Sequence, residues 1–205
     1  MEMLVVLEKS IEKIVIERID LESRLEAKDK TAGFFYSEND FQISLIHEFE
    51  FQDNYKTDFI VHYEKSYGRE YRTDIVLEED SKLYPIELKY VHGIYGTYGW
   101  QNKDFFKISD GFEKDILKMR DVFCQEKNMK QGYCIALVEE KHIENIFKIL
   151  GVTIKGNKLP DTEPIKIYED KEHPYNYRFV YKQVKKNEEK TPFHYFIVEI
   201  SRKDK

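Results

Sequence analysis

Residues 72–90 read RTDIVLEEDSKLYPIELKY and predict two short strands joined by a polar turn. Side chains two positions apart on a strand point to the same side. Glu87 and Lys89 therefore project together from one face of the second strand, and Asp74 can project beside them from the first. Burying charge is costly unless the charge is paired or binds a metal. The stretch therefore indicates either an ion-pair cluster or a metal site.

The bulk composition fits a globular protein. The chain has 205 residues, 41% of them hydrophobic, which suits one domain or one domain with an appendage. Its net charge of −6 argues against a generally basic nucleic-acid coat but leaves room for a local basic groove. Cys124 and Cys134 have no C-x-x-C spacing, so we expect buried, reduced thiols. The longest apolar run, residues 3–7, is far shorter than a membrane span, and no signal-peptide pattern is visible. We expect a cytoplasmic protein with no membrane segment.

Residues 1–30 predict one long helix without Gly or Pro. A 3-4 spacing is set by Leu4, Leu7, Ile11, Ile14, Leu21 and Leu25. Sustained spacing of this kind can make a coiled coil, and so a homodimer. Further apolar residues at 5, 6, 15, 16 and 19 widen the face, which is typical of a helix packed on a globular core. The packing helix is favoured, and the dimerisation helix stays open.

The rest of the chain predicts alternating helices and strands. In chain order we expect a helix begun by Ser37, strands over 59–63, 72–77 and 83–90, a helix over 110–128, a strand over 132–138 and a short helix over 142–150. Residues 66–68 predict a turn. Beyond residue 150 the pattern predicts strands at 165–168, 177–181 and 193–200. We therefore divide the chain into an N-terminal helix, 1–30, a core, 31–150, and a strand-rich extension of the same domain, 151–205.

Two features leave a structural and a functional interpretation open. Residues 91–100, VHGIYGTYGW, predict a loop whose rings, Tyr98 and Trp100 among them, either cap the core or stack on a ligand. A basic cluster on the predicted C-terminal hairpin consists of Lys182, Lys185, Lys186 and Lys190. It is either a solvated hairpin tip or a patch that contacts phosphates.

The order of elements and charges resembles the PD-(D/E)XK nuclease superfamily. The matching residues are Thr73-Asp74 and Glu87-Leu88-Lys89, with twelve residues between the two carboxylates. Glu38 resembles the acidic start of the family's first helix, while Thr73 stands where the motif has Pro. Residues 110–116 and 132–137 are similar to the next helix and strand of a group of uncharacterised bacterial and archaeal members. The resemblance covers about residues 36–150.

This resemblance implies an α/β fold built on a mixed α+β sheet. The expected architecture is a restriction-endonuclease-like α-β-β-β-α-β core with helices on both faces. An N-terminal helix and a C-terminal β extension would be added to that core.

Phosphodiester hydrolysis explains why these residue types are needed. Mg²⁺ prefers oxygen ligands and binds through one or two carboxylates plus substrate phosphate, and Mn²⁺ is expected to substitute for it. Asp74 and Glu87 would supply the carboxylates, and the backbone carbonyl of Leu88 another oxygen. Lys89 would hold or help deprotonate the attacking water. Glu38 could orient metal-bound water or join a second metal site.

We therefore expect a Mg²⁺-dependent endonuclease that cuts DNA, and the resemblance alone suggests restriction or host defence. Two other functions stay open. One is a non-catalytic protein-binding or regulatory module on the same fold. The other is a nuclease for RNA or single strands.

Overall fold

The computed structural model describes residues 2–24, 38–51, 59–67, 71–91, 103–129, 131–140, 143, 166–169 and 175–203. Within these residues the chain forms a mixed α+β fold, in which three helices pack on a seven-stranded mixed sheet. A separate two-stranded sheet is formed by β2 and β3.

The helices are long and the strands vary from two to fourteen residues. The helices are α1 (Met3–Arg24), α2 (Glu38–Phe51) and α3 (Lys103–Gln125). The strands are β1 (Ile60–Tyr63), β2 (Ser66–Tyr67), β3 (Tyr71–Arg72), β4 (Ile75–Glu79), β5 (Lys82–Val91), β6 (Gln131–Glu139), β7 (Lys166–Glu169), β8 (Tyr175–Lys186) and β9 (Glu189–Arg202).

Strand β5 lies near the centre of the sheet, whose order is β1-β4-β5-β6-β9-β8-β7. It pairs antiparallel with β4 and parallel with β6. Asp80 and Ser81 join β4 to β5 in a two-residue turn, and both have positive φ, which matches a type I′ hairpin. This tight turn sets Ile75 opposite Ile86, so Asp74, one residue earlier, comes beside Glu87.

The two faces of the sheet carry separate cores. Helices α1 and α2 pack on one face, where Ile86 and Leu88 of β5 point inward. Helix α3 packs on the other face, against Cys134 and Ala136 of β6. The alternation along β5 therefore turns its odd-numbered residues at the site, Glu87 and Lys89, towards α3.

Helix α1 is a packing helix of this fold. Leu7, Ile11 and Val15 are fully buried against the sheet and α2. Its apolar face is therefore used within the chain, in agreement with the favoured interpretation, while Leu21 is 47% exposed. Residues 25–30 of the predicted helix lie outside the described residues, and the homodimer stays a prediction.

The C-terminal strands continue the core sheet. Strand β9 pairs antiparallel with β6 along nine residues, and β8 pairs with β9. Asn187 and Glu188 join them in a second tight turn with positive φ. Strands β8 and β9 therefore share the hydrophobic cores of residues 38–140.

Two predicted elements differ from the observed ones, and a third lies almost entirely outside the described residues. Residues 66–67 pair with 71–72 as a small hairpin instead of forming only a turn. Helix α3 starts at Lys103 rather than near residue 110, because residues 103–109 contain no Gly or Pro that would stop it. The predicted short helix over 142–150 lies outside the described residues except for Ile143.

Gly132 allows α3 to lie close to β6. A Cβ at this position would stand 2.6 Å from Cε2 of Phe123 and 2.8 Å from Sδ of Met119. Real Cβ atoms do not approach other atoms so closely, so a side chain here would push α3 away from the sheet.

Among the described helices, none is both long and apolar enough to cross a membrane.

Candidate functional site

The candidate site lies where α2 and α3 meet one end of strands β4 and β5. Glu87 and Lys89 face α3 because Ile86 and Leu88, which alternate with them, point into the α1–α2 core. Asp74 immediately precedes β4. The structure thus brings the three residues of the predicted motif to one place.

Asp74 is fixed by hydrogen bonds on both its side chain and its backbone. The Leu88 N–H donates to Oδ2 of Asp74 at 2.8 Å. The carbonyl of Asp74 accepts from Nε2 of Gln42 at 2.8 Å and from the Glu64 N–H at 2.9 Å. The carboxylate is therefore held against β5 without depending on a long, mobile side chain. The predicted role of the Leu88 carbonyl stays a prediction.

Glu38, the first residue of α2, reaches the end of β5. Its Oε2 accepts from the Tyr90 N–H at 3.3 Å, and its Oε1 accepts from Nζ of Lys89 at 3.3 Å. Burial raises the pKa of Glu38, and the charge of Asp74 raises it further, against the opposing effect of Lys89. Glu38 thus belongs to the same electrostatic cluster as the motif residues.

Lys89 is held as a charged ammonium between two carboxylates. Its Nζ lies 3.3 Å from Glu38 and 3.4 Å from Oδ2 of Asp115. Burial acts to lower the pKa of Lys89, but Asp115 and Glu38 together outweigh it, so the net shift is upward. A lysine that keeps its proton cannot act as a base, which favours the water-holding and charge-stabilising role over deprotonation.

Helix α3 adds two charged residues, Asp115 and Lys118, that are not part of the predicted motif. Asp115 pairs with Lys89, and Nζ of Lys118 lies 2.7 Å from Oε1 of Glu87. The sequence did carry a signal for Asp115. It stands three residues after Phe112 and four before Met119, on the buried stripe of the helix, where a carboxylate needs a partner.

Glu87 is the most deeply buried acid of the site, with 3% of its surface exposed. Burial, followed by the charge of Asp74, raises its pKa to about 8, even though Lys118 acts to lower it. Burial raises the pKa of Asp115 as well. The site therefore makes it unfavourable for all its carboxyl groups to be ionised together.

The charges of the site do not balance. Its acids are Glu38, Asp74, Glu87 and Asp115, and its bases are Lys89 and Lys118. With every group ionised, four negative charges would face two positive ones. Two like charges about 4 Å apart repel by about 4 kcal/mol at an effective dielectric constant of about 20. A bound cation would relieve this repulsion.

The donor set fits a hard divalent cation, since every side-chain ligand on offer is a carboxylate oxygen. Among the described residues, no three side chains of His, Cys, Asp or Glu converge as a ready ligand set. The predicted set asks for less, namely Asp74, Glu87 and a backbone carbonyl, and leaves the other positions to water and substrate. In this structure the carboxylates are directed at lysines and a backbone N–H.

Cys134 lies on β6 beside the site, directly opposite Glu87 of β5 in the parallel register. It is a free, fully buried cysteine. Burial and the neighbouring carboxylates raise the pKa of its thiol well above the ordinary value. The thiol stays protonated, so Cys134 is unsuited to act as a nucleophile or as a soft metal ligand.

The lysines predicted to contact nucleic acid lie elsewhere. Lys182 pairs with Glu8 at 2.8 Å, and Lys186 contacts Asp20, so both join β8 to α1 on the face of the sheet opposite α3. Lys185 is exposed on β8. Tyr98 and Trp100 lie outside the described residues. These contacts give Lys182 and Lys186 a structural role, and their nucleic-acid role stays a prediction.

No protein-family model, curated protein sequence or solved structure matches the chain. Its function must therefore be inferred from the chemistry of the site.

Proposed function

We propose that the chain is a metal-dependent nuclease of the restriction-endonuclease-like fold that hydrolyses phosphodiester bonds of DNA. The observation that carries this proposal is the buried surplus of carboxylate at Asp74 and Glu87, with the charged Lys89 beside them. A surplus of this kind in a structural cluster would only cost stability. In a nuclease it attracts the metal.

The order of the elements supports the same proposal. Helix α2, strands β1, β4 and β5, helix α3 and strand β6 follow one another as α-β-β-β-α-β, with the hairpin β2–β3 inserted. The β5–β6 pair is parallel, and helices cover both faces of the sheet. Asp74 immediately precedes the second sheet strand of this series, β4, and Glu87 and Lys89 lie on the third, β5.

Each residue of the site then has a role. Asp74 and Glu87 would hold Mg²⁺, which would acidify its bound water and polarise the scissile phosphate. Lys89, kept protonated by Glu38 and Asp115, donates to the attacking water and offsets charge in the transition state. Burial raises the pKa of Glu38 above its ordinary value, which makes this carboxylate a better acceptor for the proton that the water loses.

One observation favours a second candidate, the non-catalytic binding module. Lys118 contacts Glu87 at 2.7 Å and Lys89 contacts Asp115 at 3.4 Å, so part of the charge is neutralised within the chain. A fold that had lost catalysis would retain such pairs. Restriction, host defence and a cytoplasmic location are further expectations that follow from the resemblance or the composition alone.

The test is a cleavage assay on plasmid, linear duplex, single-stranded DNA and RNA, each with Mg²⁺, Mn²⁺ or EDTA. We expect metal-dependent cutting of DNA by the wild type, and its loss in Asp74→Ala and Lys89→Ala. Asp121→Ala is the matched control, since Asp121 lies on α3 but pairs with Arg120 outside the site. If no nucleic acid is cut under any condition, or if both site variants cut like the wild type, the nuclease proposal is wrong.

A further inference from the structure

Lys118 is the one charged residue of the site to which the proposed nuclease chemistry gives no task. It projects from α3 and places its ammonium 2.7 Å from Oε1 of Glu87, a proposed metal ligand. The side chain of Lys118 is 28% exposed, while that of Glu87 is 3% exposed. The lysine therefore reaches the buried carboxylate from the solvent side, the direction from which an ion would enter.

The two lysines of the site differ in how they are held. Lys89 is anchored from both sides, by Glu38 and by Asp115. The ion pair that Lys118 makes among the described residues is with Glu87 alone. Lys118 can therefore swing away from Glu87 while the Lys89 arrangement is left in place.

We propose that Lys118 is a built-in competitor of the metal, an inference that rests on the proposed nuclease function. Its ammonium takes the cation position at Glu87 in the metal-free chain, and a divalent ion must displace it to bind Asp74 and Glu87. This also accounts for a site in which carboxylates are directed at ammonium groups and not at a common centre.

The sign of the effect follows from charge. Removing Lys118 eliminates a positive charge that lies 2.7 Å from Oε1 of Glu87 and would repel a doubly charged ion approaching that oxygen. The net result of its removal is tighter metal binding. A lysine that merely supported the site would give the opposite result.

Mn²⁺ titration of the full-length chain, followed by the electron paramagnetic resonance signal of the free ion, tests the proposal without using activity. We expect Lys118→Met and Lys118→Gln to bind Mn²⁺ about tenfold or more tightly than the wild type. Lys118→Gln guards against a folding defect, because its amide can still donate to Glu87. Lys118→Arg keeps the charge and should bind Mn²⁺ like the wild type.

The controls separate this proposal from the one on which it rests. Lys127→Met removes an equal charge from an exposed position just beyond α3 and should leave the affinity unchanged. Suppose that the wild type binds Mn²⁺ and that Asp74→Asn abolishes the binding. If neither Lys118→Met nor Lys118→Gln then binds Mn²⁺ more tightly, the proposal that Lys118 competes with the metal is wrong and the metal site stands. If Asp74→Asn changes nothing, or no variant binds Mn²⁺, the metal site itself is wrong and the competitor fails with it.

Discussion

Two charged clusters lie on opposite faces of the sheet, and they are built differently. The first is the site, with four acids and two bases, as counted above. The second joins α1 to β8, and its acids and bases match one to one in the pairs Glu2–Arg178, Glu8–Lys182 and Asp20–Lys186. We call it the α1–β8 cluster. These three pairs balance, although Arg178 also lies near the buried Glu199, whereas the acids of the site outnumber its bases.

The acids of the two clusters also differ in how deeply they are buried. Glu87 is 3% exposed at its side chain, whereas Glu8, Asp20 and Glu2 are 15%, 42% and 54% exposed. Exposed pairs cost little and contribute little to stability, but unpaired buried charge is strongly destabilising. A chain that needed only to attach a helix would use pairs like those of the α1–β8 cluster. The comparison therefore supports the proposal that the surplus at the site serves to bind a cation.

The largest expected difference between the clusters is in catalysis. Lys89→Met should lower the DNA cleavage rate by about 10²–10⁴-fold, because it removes the donor to the water and to the transition state. Arg178→Met removes the same charge from the α1–β8 cluster and should cleave like the wild type. Initial rates on plasmid DNA in Mg²⁺ measure both. Equal rates in the two variants would remove the functional distinction between the clusters.

The next effect is on stability against pH. The pKa of Glu87 is about 8 in the folded chain, against an ordinary value of 4.5, so the folded state binds more protons than the unfolded state between these values. The stabilisation is complete below about pH 4.5 and is lost as the pH rises through 8, by a few kcal/mol in total. Urea unfolding from pH 5 to 9 should show this fall in the wild type.

Two further measurements assign that fall to Glu87. Glu87→Gln should flatten the pH profile, whereas Glu2→Gln in the α1–β8 cluster should leave it unchanged. Adding Mg²⁺ at pH 9 should restore stability to the wild type but not to Glu87→Gln. A profile of the same slope in Glu87→Gln and the wild type would assign the fall to other groups.

A smaller effect is expected from moving α3. Gly132→Val should lower the free energy of unfolding by about 1–3 kcal/mol, because its side chain would overlap Phe123 and Met119. The same displacement carries Asp115 and Lys118 away from the site, so cleavage should fall as well. Gly132→Ala should lie between the valine variant and the wild type in both measurements. Full activity in a destabilised Gly132→Val would show that the site does not depend on how closely α3 packs against β6.

The smallest effect belongs to the α1–β8 cluster itself. Lys186→Met should cost no more than about 1 kcal/mol, since Lys186 and its partner Asp20 are 31% and 42% exposed, and the cost should shrink in high salt. Urea unfolding at low and high salt measures it. A loss of several kcal/mol would mean that breaking an ion pair of this cluster destabilises the fold as strongly as breaking one at the site.

The sequence alone is enough for the parts of the site that depend on local geometry. The two-residue period of β5 places Glu87 and Lys89 on one face, and the short turn at Asp80 and Ser81 brings Asp74 alongside. The α+β fold with its mixed sheet also follows from the order of helix-like and strand-like segments. These features require only the period of each element and the length of one turn.

The remainder depends on contacts between distant segments. Asp115 and Lys118 join the site because Gly132 lets α3 approach β6, and no local pattern states that distance. Likewise, Lys182 and Lys186 meet acids more than 160 residues earlier in the chain, so their pairing could not be read from the basic cluster. Such contacts are decided by packing and not by the period of one element.

The central claim is that Asp74 and Glu87 share a divalent cation, and anomalous diffraction from crystals grown with Mn²⁺ tests it most directly. We predict a peak within about 2.3 Å of an oxygen of each carboxylate, with the Lys118 ammonium moved away from Glu87. A chain fully exposed to Mn²⁺ that shows no peak there, with Lys118 still paired to Glu87, would contradict the account.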